Sequence, residues 1–315
     1  MPRKGAVSHM SVYLPIAELP VYIPLFLALG AAVGVLSGLF GVGGGFLLTP
    51  LLIFLGIPPA VAVGTSAAHI VATSVSGAVT QYRRNNVDLK MGSMLLLGGV
   101  VGTAIGVELV RQLRRAGIFD VAVALSYVTF LGSVGTLMMI ESVGALRSAT
   151  KPGSGRRAAA HGPIDRLPFK MRFHRSKLYV SAIPPVIIGA FVGAMSGVMG
   201  VGGGFVIVPA MIYLLRMPTS VVVGTSQFQI VFVAALATLL HALLNKSVDI
   251  VLAAILIAGG VVGARLGAVF GRPLKGEHLR FLLAAVVLLV AARVALDLVT
   301  APAELYNLGV VGGGR

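Results

Sequence analysis

Along most of the chain, apolar residues run for membrane-spanning lengths and polar residues collect at the ends of those runs. Residues 21–41 are apolar up to a glycine cluster. Residues 46–57 form a shorter apolar segment closed by Gly56 and Pro58-Pro59. A bilayer core about 30 Å thick needs roughly 20 helical residues, so the short segment cannot cross upright. The 21–57 region therefore reads as a hairpin dipping into the membrane, or as one full helix and one half helix. Spanning helices are predicted over 61–82, 91–110 and 118–141. After a hydrophilic stretch at 142–177 the order recurs: 178–199, a short segment at 204–215, then 220–244, 249–270 and 279–299. On the 61–82 helix, Thr65, His69, Thr73, Ser76 and Thr80 step by three or four residues and share one face. A polar stripe on a membrane helix faces protein or water rather than lipid. Gly98, Gly102 and Gly106, and again Gly259, Gly263 and Gly267, lie at four-residue spacing, which lets a neighbouring backbone come close.

The recurrence extends to single residues. Ser37-Gly38-Leu39-Phe40-Gly41-Val42-Gly43-Gly44-Gly45-Phe46 returns as Ser196-Gly197-Val198-Met199-Gly200-Val201-Gly202-Gly203-Gly204-Phe205. Val63-Gly64-Thr65-Ser66 returns as Val223-Gly224-Thr225-Ser226, and Gly98-Gly99-Val100-Val101-Gly102 as Gly259-Gly260-Val261-Val262-Gly263. The offsets are 159, 160 and 161 residues, so one unit is used twice with single insertions in loops. Three consecutive glycines end or unwind a helix. In a bilayer the freed backbone groups are tolerated where they line an enclosed or watery cavity. Broken helices at matching places in two halves therefore point to a transporter's binding site; the plainer alternative is that the glycines only permit close packing.

Composition fits this reading. Of 315 residues, 57% are hydrophobic and 11% charged, and the mean hydropathy is +0.97. The chain is expected to be an all-α polytopic membrane protein. Cysteine is absent, which removes disulfides and thiolate chemistry. The net charge of +15 carries no nucleic-acid motif with it. Nine of the 25 basic residues lie in 142–177, and most others flank apolar runs, as cytoplasmic loops require. The resulting division is a lead at 1–20, a first membrane repeat at 21–141, a basic cytoplasmic linker at 142–177, a second repeat at 178–299 and a flexible tail at 300–315. Within the linker Phe169, Met171 and Phe173 alternate with Lys170, Arg172 and His174. That pattern suits an extended segment between a greasy surface and anionic headgroups, or a solvated charged loop.

With the linker inside, the basic loop 83–90 also lies inside and its counterpart around Asn245-Lys246 outside. Equivalent loops on opposite sides require an odd number of crossings per half, hence two inverted repeats of four to five membrane segments, each with a glycine-broken helix or re-entrant hairpin. The glycine-spaced helices are expected to pack within one chain, a homodimer being the other arrangement they allow.

Several residues stand out as anion ligands. Arg265 lies within an apolar helix where the first half has Ala104, and its guanidinium suits a sulfonate, sulfite or carboxylate. The structural alternative is that it reaches the helix end or pairs with Glu108 or Asp297. The hydroxyls of Thr65, Ser66, Thr225 and Ser226 can replace an anion's hydration, or bond back to the preceding turn. Gln227 and Gln229 add amides where the first half has Ala67 and His69. His69 is the one group placed to couple protons. Backbone N–H groups at Gly43, Gly44 and Gly45, and at Gly202, Gly203 and Gly204, would present helix N-termini to an anion. Gly41–Phe46 is not a dinucleotide fingerprint, since no strand–turn–helix unit surrounds it. There is no P-loop lysine, catalytic carboxylate pair, metal-ligand cluster or Ser-His-Asp set, so neither an enzyme nor a cofactor is expected.

The doubled Ser-Gly-x-x-Gly-Val-Gly-Gly-Gly-Phe, each copy followed by Pro50 or Pro209 and then Val-Gly-Thr-Ser, resembles the TauE/SafE sulfite exporter family, or TSUP permeases, from about residue 21 to 299. The resemblance implies a multi-pass permease of the bacterial or archaeal inner membrane, in contact with the lipid bilayer. It implies transport of small sulfur-containing anions, with the glycine triplets and Thr-Ser pairs as the matching positions. The expected function is export of sulfite or a short organosulfonate such as sulfoacetate by alternating access. The rivals are a proton-coupled importer of thiosulfate or a small carboxylate, which needs His69 in the pathway, and a non-transporting assembly protein, which needs the glycine region packed shut with no polar cavity.

Overall fold

In a computed structural model of the chain, the residues described are 11–40, 44–148, 168, 170–173, 175–176, 178–215, 217–270 and 276–299. Each half is a β-hairpin followed by five helices. In the first half β1 (Ser11–Leu14) pairs antiparallel with β2 (Leu19–Tyr22), and α1 (Ile23–Phe40), α2 (Gly45–Phe54), α3 (Pro59–Arg83), α4 (Leu89–Arg115) and α5 (Phe119–Ser148) follow. In the second half β3 (Lys170–Phe173) pairs with β4 (Leu178–Ser181), followed by α6 (Ile183–Met199), α7 (Gly204–Tyr213), α8 (Thr219–Leu243), α9 (Ile250–Phe270) and α10 (Gly276–Val299). Among the described residues six helices are long and apolar enough to cross a membrane: those of α3, α4, α5, α8, α9 and α10.

Two expectations change here. The hairpins are part of the repeat, since Ser11 to Lys170 is the same 159-residue offset as the glycine motif, so the lead and the linker each contain folded structure. The Met171/Phe173 face of the linker rests on protein: Phe173 is buried in a core cluster with Leu95, Val192 and Met211. Helix α5 also continues to Ser148, past the predicted start of the linker. The tail at 300–315, expected to be flexible, lies outside the described residues, as does the linker from 149 to 167.

Two glycine seams set the helix directions. A Cβ at Gly98, Gly102 or Gly106 of α4 would overlap the backbone of Val186, Ala190 or Ala194 of α6. The partners rise in step, so α4 and α6 run parallel with their backbones in contact. Gly259, Gly263 and Gly267 of α9 meet Leu27, Ala31 and Val35 of α1 in the same way. The facing helices carry their own glycines at the same spacing, Gly30 and Gly34 on α1 and Gly189, Gly193 and Gly197 on α6. In lipid, where the tails are as apolar as leucine, such small residues gain association through close van der Waals contact.

Helix α3 runs parallel to α9, because Thr65 meets Asp249, His69 meets Gly260 and Thr73 lies level with Ala264. By the same reasoning α8 runs parallel to α4 and α6. The core is thus two triplets of parallel helices, α1/α3/α9 and α4/α6/α8, each mixing both sequence halves. They meet where α3 crosses α8 antiparallel, with Gly77 against Gln227 and Gln81 against Gly224. Since α1 and α3 point the same way, α2 must return between them. At 10 residues, about 15 Å, it re-enters rather than spans, and α7 does the same after α6. Helices α5 and α10 pack on each other at the periphery, Gly135 against Val287 and Leu288.

Gly102→Ala or Gly263→Ala should lower the thermal midpoint in detergent, since over-packing a close-packed contact costs about 1–3 kcal/mol. Gly132→Ala, which meets nothing within 4 Å, should leave the midpoint near the parent value. Equal midpoints for all three would remove the seams as the basis of the packing.

Candidate functional site

The Val-Gly-Thr-Ser repeats turn out to anchor helix starts. The Asp249 N–H donates to Thr65 Oγ1 at 3.1 Å, and the Asp88 N–H donates to Thr225 Oγ1 at 3.0 Å. Each aspartate then caps a helix. Asp88 Oδ1 accepts from Met91 N–H, and Asp249 Oδ1 from Val251 and Leu252 N–H. The remaining carboxylate oxygen accepts from a hairpin turn of the other sequence half. Asp249 Oδ2 takes the Ile16 N–H at 3.0 Å, while Asp88 Oδ2 takes the Ser176 N–H at 3.0 Å and its hydroxyl at 2.7 Å. Both aspartates are buried. Anionic caps suit the N–H-rich start of a helix.

The glycine breaks do meet. Gly44 and Gly203 are the left-handed residues that start α2 and α7, with φ of 67° and 71°. A Cβ on Gly45 would strike Ile70 and approach the Val201 carbonyl, and one on Gly202 would meet both Ile70 and Ile230. The Phe46 and Phe205 rings, each two residues beyond the left-handed glycine that starts its helix, lie 5.7 Å apart. Gly45, Gly202 and Gly203 are surrounded by apolar side chains and backbone, and Gly44 lies against Val33 and the Ser37 side chain; these four and Gly204 are buried. Gly43 lies outside the described residues.

Beside this junction a cavity of about 340 Å³ runs along the α3/α8 crossing. Its walls are the last turns of α1 (Ser37, Gly38, Leu39) and the C-terminal half of α3 (Thr73, Ser76, Gly77, Thr80, Gln81, with Arg84 just beyond). Val223 and Gln227 of α8 and Ala264, Arg265 and Val269 of α9 complete it. Two guanidinium groups, three hydroxyls from α3 and two amides line it, and among the described residues no carboxylate does. Part of the hydroxyl capacity is used locally: Thr73 donates to the His69 and Ile70 carbonyls and Thr80 to the Ser76 carbonyl.

The repeat makes the one-sidedness of this lining plain. At the corresponding positions of the opposite half stand Val233 for Thr73, Leu236 for Ser76, Leu240 for Thr80 and Leu244 for Arg84. Ala67 stands for Gln227 and Ala104 for Arg265. The equivalent of Gln81 is His241, which bonds the Gly197 carbonyl at 2.8 Å. Asn245 Nδ2 bonds the other ring nitrogen at 3.0 Å, and Arg114 bonds the Asn245 carbonyl at 2.9 Å. Among the described residues the cavity end is open and polar, while at its mate His241 and Asn245 are buried and bonded to each other.

Of the residues predicted from sequence, the cavity gathers Gln227 and Arg265. Arg265 is exposed at the cavity wall rather than buried in the helix, and Glu108 and Asp297 are engaged with Arg111 and Arg293 instead. Thr65 and Thr225 serve the aspartate anchors, and Ser226 donates to the Val223 carbonyl. Ser66 is buried off the cavity. His69 is buried against Gly260, and Gln229 against Gly99, at corresponding places in the two seams. Sequence reasoning missed Arg84, taken as a loop charge, and Gln81, Gly77, Ser37 and Ala264. A residue-by-residue comparison of the two halves would have found the polar ones.

The profile of the sulfite exporter TauE/SafE family matches residues 26–294. The chain is 28% identical over 263 residues to the probable membrane transporter protein YjnA of Bacillus subtilis, covering 82% of this chain and 94% of that protein. It is 25% identical over 284 residues to the probable membrane transporter protein MJ0441 of Methanocaldococcus jannaschii, covering 86% and 94%. Over a shorter stretch of 123 residues it is 31% identical to the sulfite exporter TauE/SafE family protein 5 of Arabidopsis thaliana, covering 38% of this chain and 25% of that one. No solved structure matches. Spans, re-entrant hairpins and relatives of nearly full coverage make this a multi-pass membrane transporter. It belongs to the TauE/SafE sulfite exporter family.

The anchor role of the repeated threonines has a direct check. Thr225→Val leaves the buried Asp88 N–H without its acceptor, at a cost of about 1–3 kcal/mol, and should lower the detergent melting midpoint. Thr225→Ser keeps the hydroxyl and should restore most of the loss. A Thr225→Val protein that melts like the parent would contradict the anchor.

Proposed function

We propose that this protein exports small sulfur-containing oxyanions, sulfite or a short organosulfonate such as sulfoacetate, by alternating access. The observation that carries the reading is the cavity lined by Arg84 and Arg265, hydroxyls and amides, with no acidic residue among those described. Guanidinium groups match the flat, multi-oxygen faces of such anions. The names of the family and of its plant relatives point to sulfite. The cavity lies at the end of the molecule that carries Arg83, Arg84, Lys90 and the basic hairpin β3–β4, which the positive-inside rule assigns to the cytoplasm. An anion entering there would be driven outward by the inside-negative potential without another energy source. His69, the group a proton-coupled importer requires, is off the cavity wall.

In this reading corresponding helices of the two halves point oppositely, as inverted repeats do, yet the bodies that move are the triplets. Every inter-helix hydrogen bond of the core among the described residues stays inside α1/α3/α9 or α4/α6/α8, and both glycine seams do too. The α3/α8 crossing is held by side-chain packing alone and is the natural sliding surface.

Purified protein in liposomes should move radiolabelled sulfite or sulfoacetate. Arg265→Ala and Arg84→Ala should each reduce the flux about tenfold or more, as the loss of a charged hydrogen bond worth about 1.5–3 kcal/mol implies. Absence of flux in the parent would end the assignment; flux indifferent to both arginines would move the site elsewhere.

Because the chain has no cysteine, spin labels can be placed at will. Tyr22, Leu243 and Ile250 are exposed at the end opposite the cavity. Pulsed electron paramagnetic resonance should show the Tyr22–Leu243 label distance, between triplets, lengthening when substrate is added. The Tyr22–Ile250 distance, within one triplet, should hold. The reverse pattern would mean that the sequence halves move as bodies.

A further inference from the structure

The cavity wall holds a residue pair, Gly77 and Gln227, to which the anion reading gives no separate role. Gln227 is 6% exposed and its Oε1 has no hydrogen-bond partner. Its amide lies flat against Gly77 of α3: a Cβ there would stand 2.5 Å from Nε2 and Oε1 and 2.6 Å from Cδ. Only a glycine leaves room for this amide. At the corresponding positions of the other half stand Ala237 and Ala67, so where the glutamine is missing the facing residue carries a methyl group. Gly77 is therefore matched to Gln227, and its absence of a side chain is not a packing feature of the helix in general.

The pair also lies away from the fixed charge of α3. Gly77 precedes Arg84 by seven residues, about 10 Å along the helix axis. The cavity volume of 340 Å³ falls in the range of sites for small organic ligands, about 300–1,000 Å³. A four-atom oxyanion held by guanidinium groups leaves its floor unfilled. A buried amide without a partner is costly, and a ligand group that bonds it recovers that cost.

We propose that Gly77 and Gln227 form one unit that reads the end of the substrate remote from its negative charge, selecting an anion whose tail ends in a hydrogen-bonding group. The proposal rests on the anion-transport reading above. A hydroxyl serves as the tail group whichever way the amide is turned, because it both donates and accepts.

The test uses the full chain in liposomes and two sulfonates of nearly equal size, 2-hydroxyethanesulfonate and ethanesulfonate. The parent protein should prefer the hydroxylated anion about tenfold in kcat/KM, the effect of one buried hydrogen bond. Gln227→Ala should bring that ratio close to one while ethanesulfonate still moves. Gly77→Ala should slow both anions by forcing the amide into the cavity. The double variant Gly77→Ala/Gln227→Ala should carry ethanesulfonate faster than Gly77→Ala alone, again without discrimination. Equal parent rates for the two sulfonates, a ratio that survives Gln227→Ala, or a double variant no faster than Gly77→Ala would overturn the proposal while leaving anion transport standing. A parent protein that moves neither sulfonate nor sulfite would overturn the anion reading, and the tail reading with it.

Discussion

Close backbone contact through glycine is the constraint on which the rest of the architecture depends. Inside lipid no hydrophobic gain drives helices together, so what remains is van der Waals contact, sparse hydrogen bonds and lipid entropy. The α4/α6 and α1/α9 seams meet that condition with glycines on both faces at four-residue spacing. Because each seam joins a helix of one half to a helix of the other, neither half can be assembled alone. The short re-entrant helices follow from this. With α1 parallel to α3, and α6 parallel to α8, the chain between them has to turn back within the membrane, and Gly44 and Gly203 supply the left-handed backbone at the turn.

Polar bonds reinforce the same partition. Asp88 and Asp249 each collect a helix start, a hairpin turn and, through the backbone, a threonine hydroxyl. These bonds add a third helix to each seam pair, α8 to α4/α6 and α3 to α1/α9. Hydrogen bonds of this kind are directional and expensive to break when buried. Among the described residues no such bond joins α3 to α8, and the cavity lies along that crossing.

Much of this was legible in the chain because it is periodic. Apolar runs, the doubled glycine motif and the stripes at Gly98–Gly106 and Gly259–Gly267 are local patterns, and they located all ten described helices, seven of them to within three residues at both ends. Of the hairpins only the extended strand at 170–173 left a trace, in the alternation of Met171 and Phe173 with Lys170 and Arg172; β1 and β2, four residues each beside prolines, give no period to read. The role of Thr65 could not be read either: a hydroxyl that accepts from a backbone 184 residues away leaves no local trace. Arg265 and Gln227 were visible as polar exceptions on apolar helices. Arg84 was hidden among loop charges, and its meaning emerges only once α3 is seen to carry Thr73, Ser76 and Thr80 toward it.

The scaffold is two-fold while the chemistry is not, and this bears on how a cycle could work. If the polar lining were repeated at the other end, a site could simply be handed from one mouth to its mate. Instead Leu236, Leu240 and Leu244 stand where Ser76, Thr80 and Arg84 would be. The far end keeps polar groups of its own, His241, Asn245 and Arg114, but they are bonded to one another and to the Gly197 carbonyl. The cavity and the junction of the two breaks lie close together. Thr73 lines the cavity, and Ile70, less than one helical turn earlier, packs against Gly45 and Gly202 where the two breaks touch. The breaks therefore have a role that does not require their backbone to bind the anion. Lacking side chains, they let Ile70 and Ile230 pack into the junction.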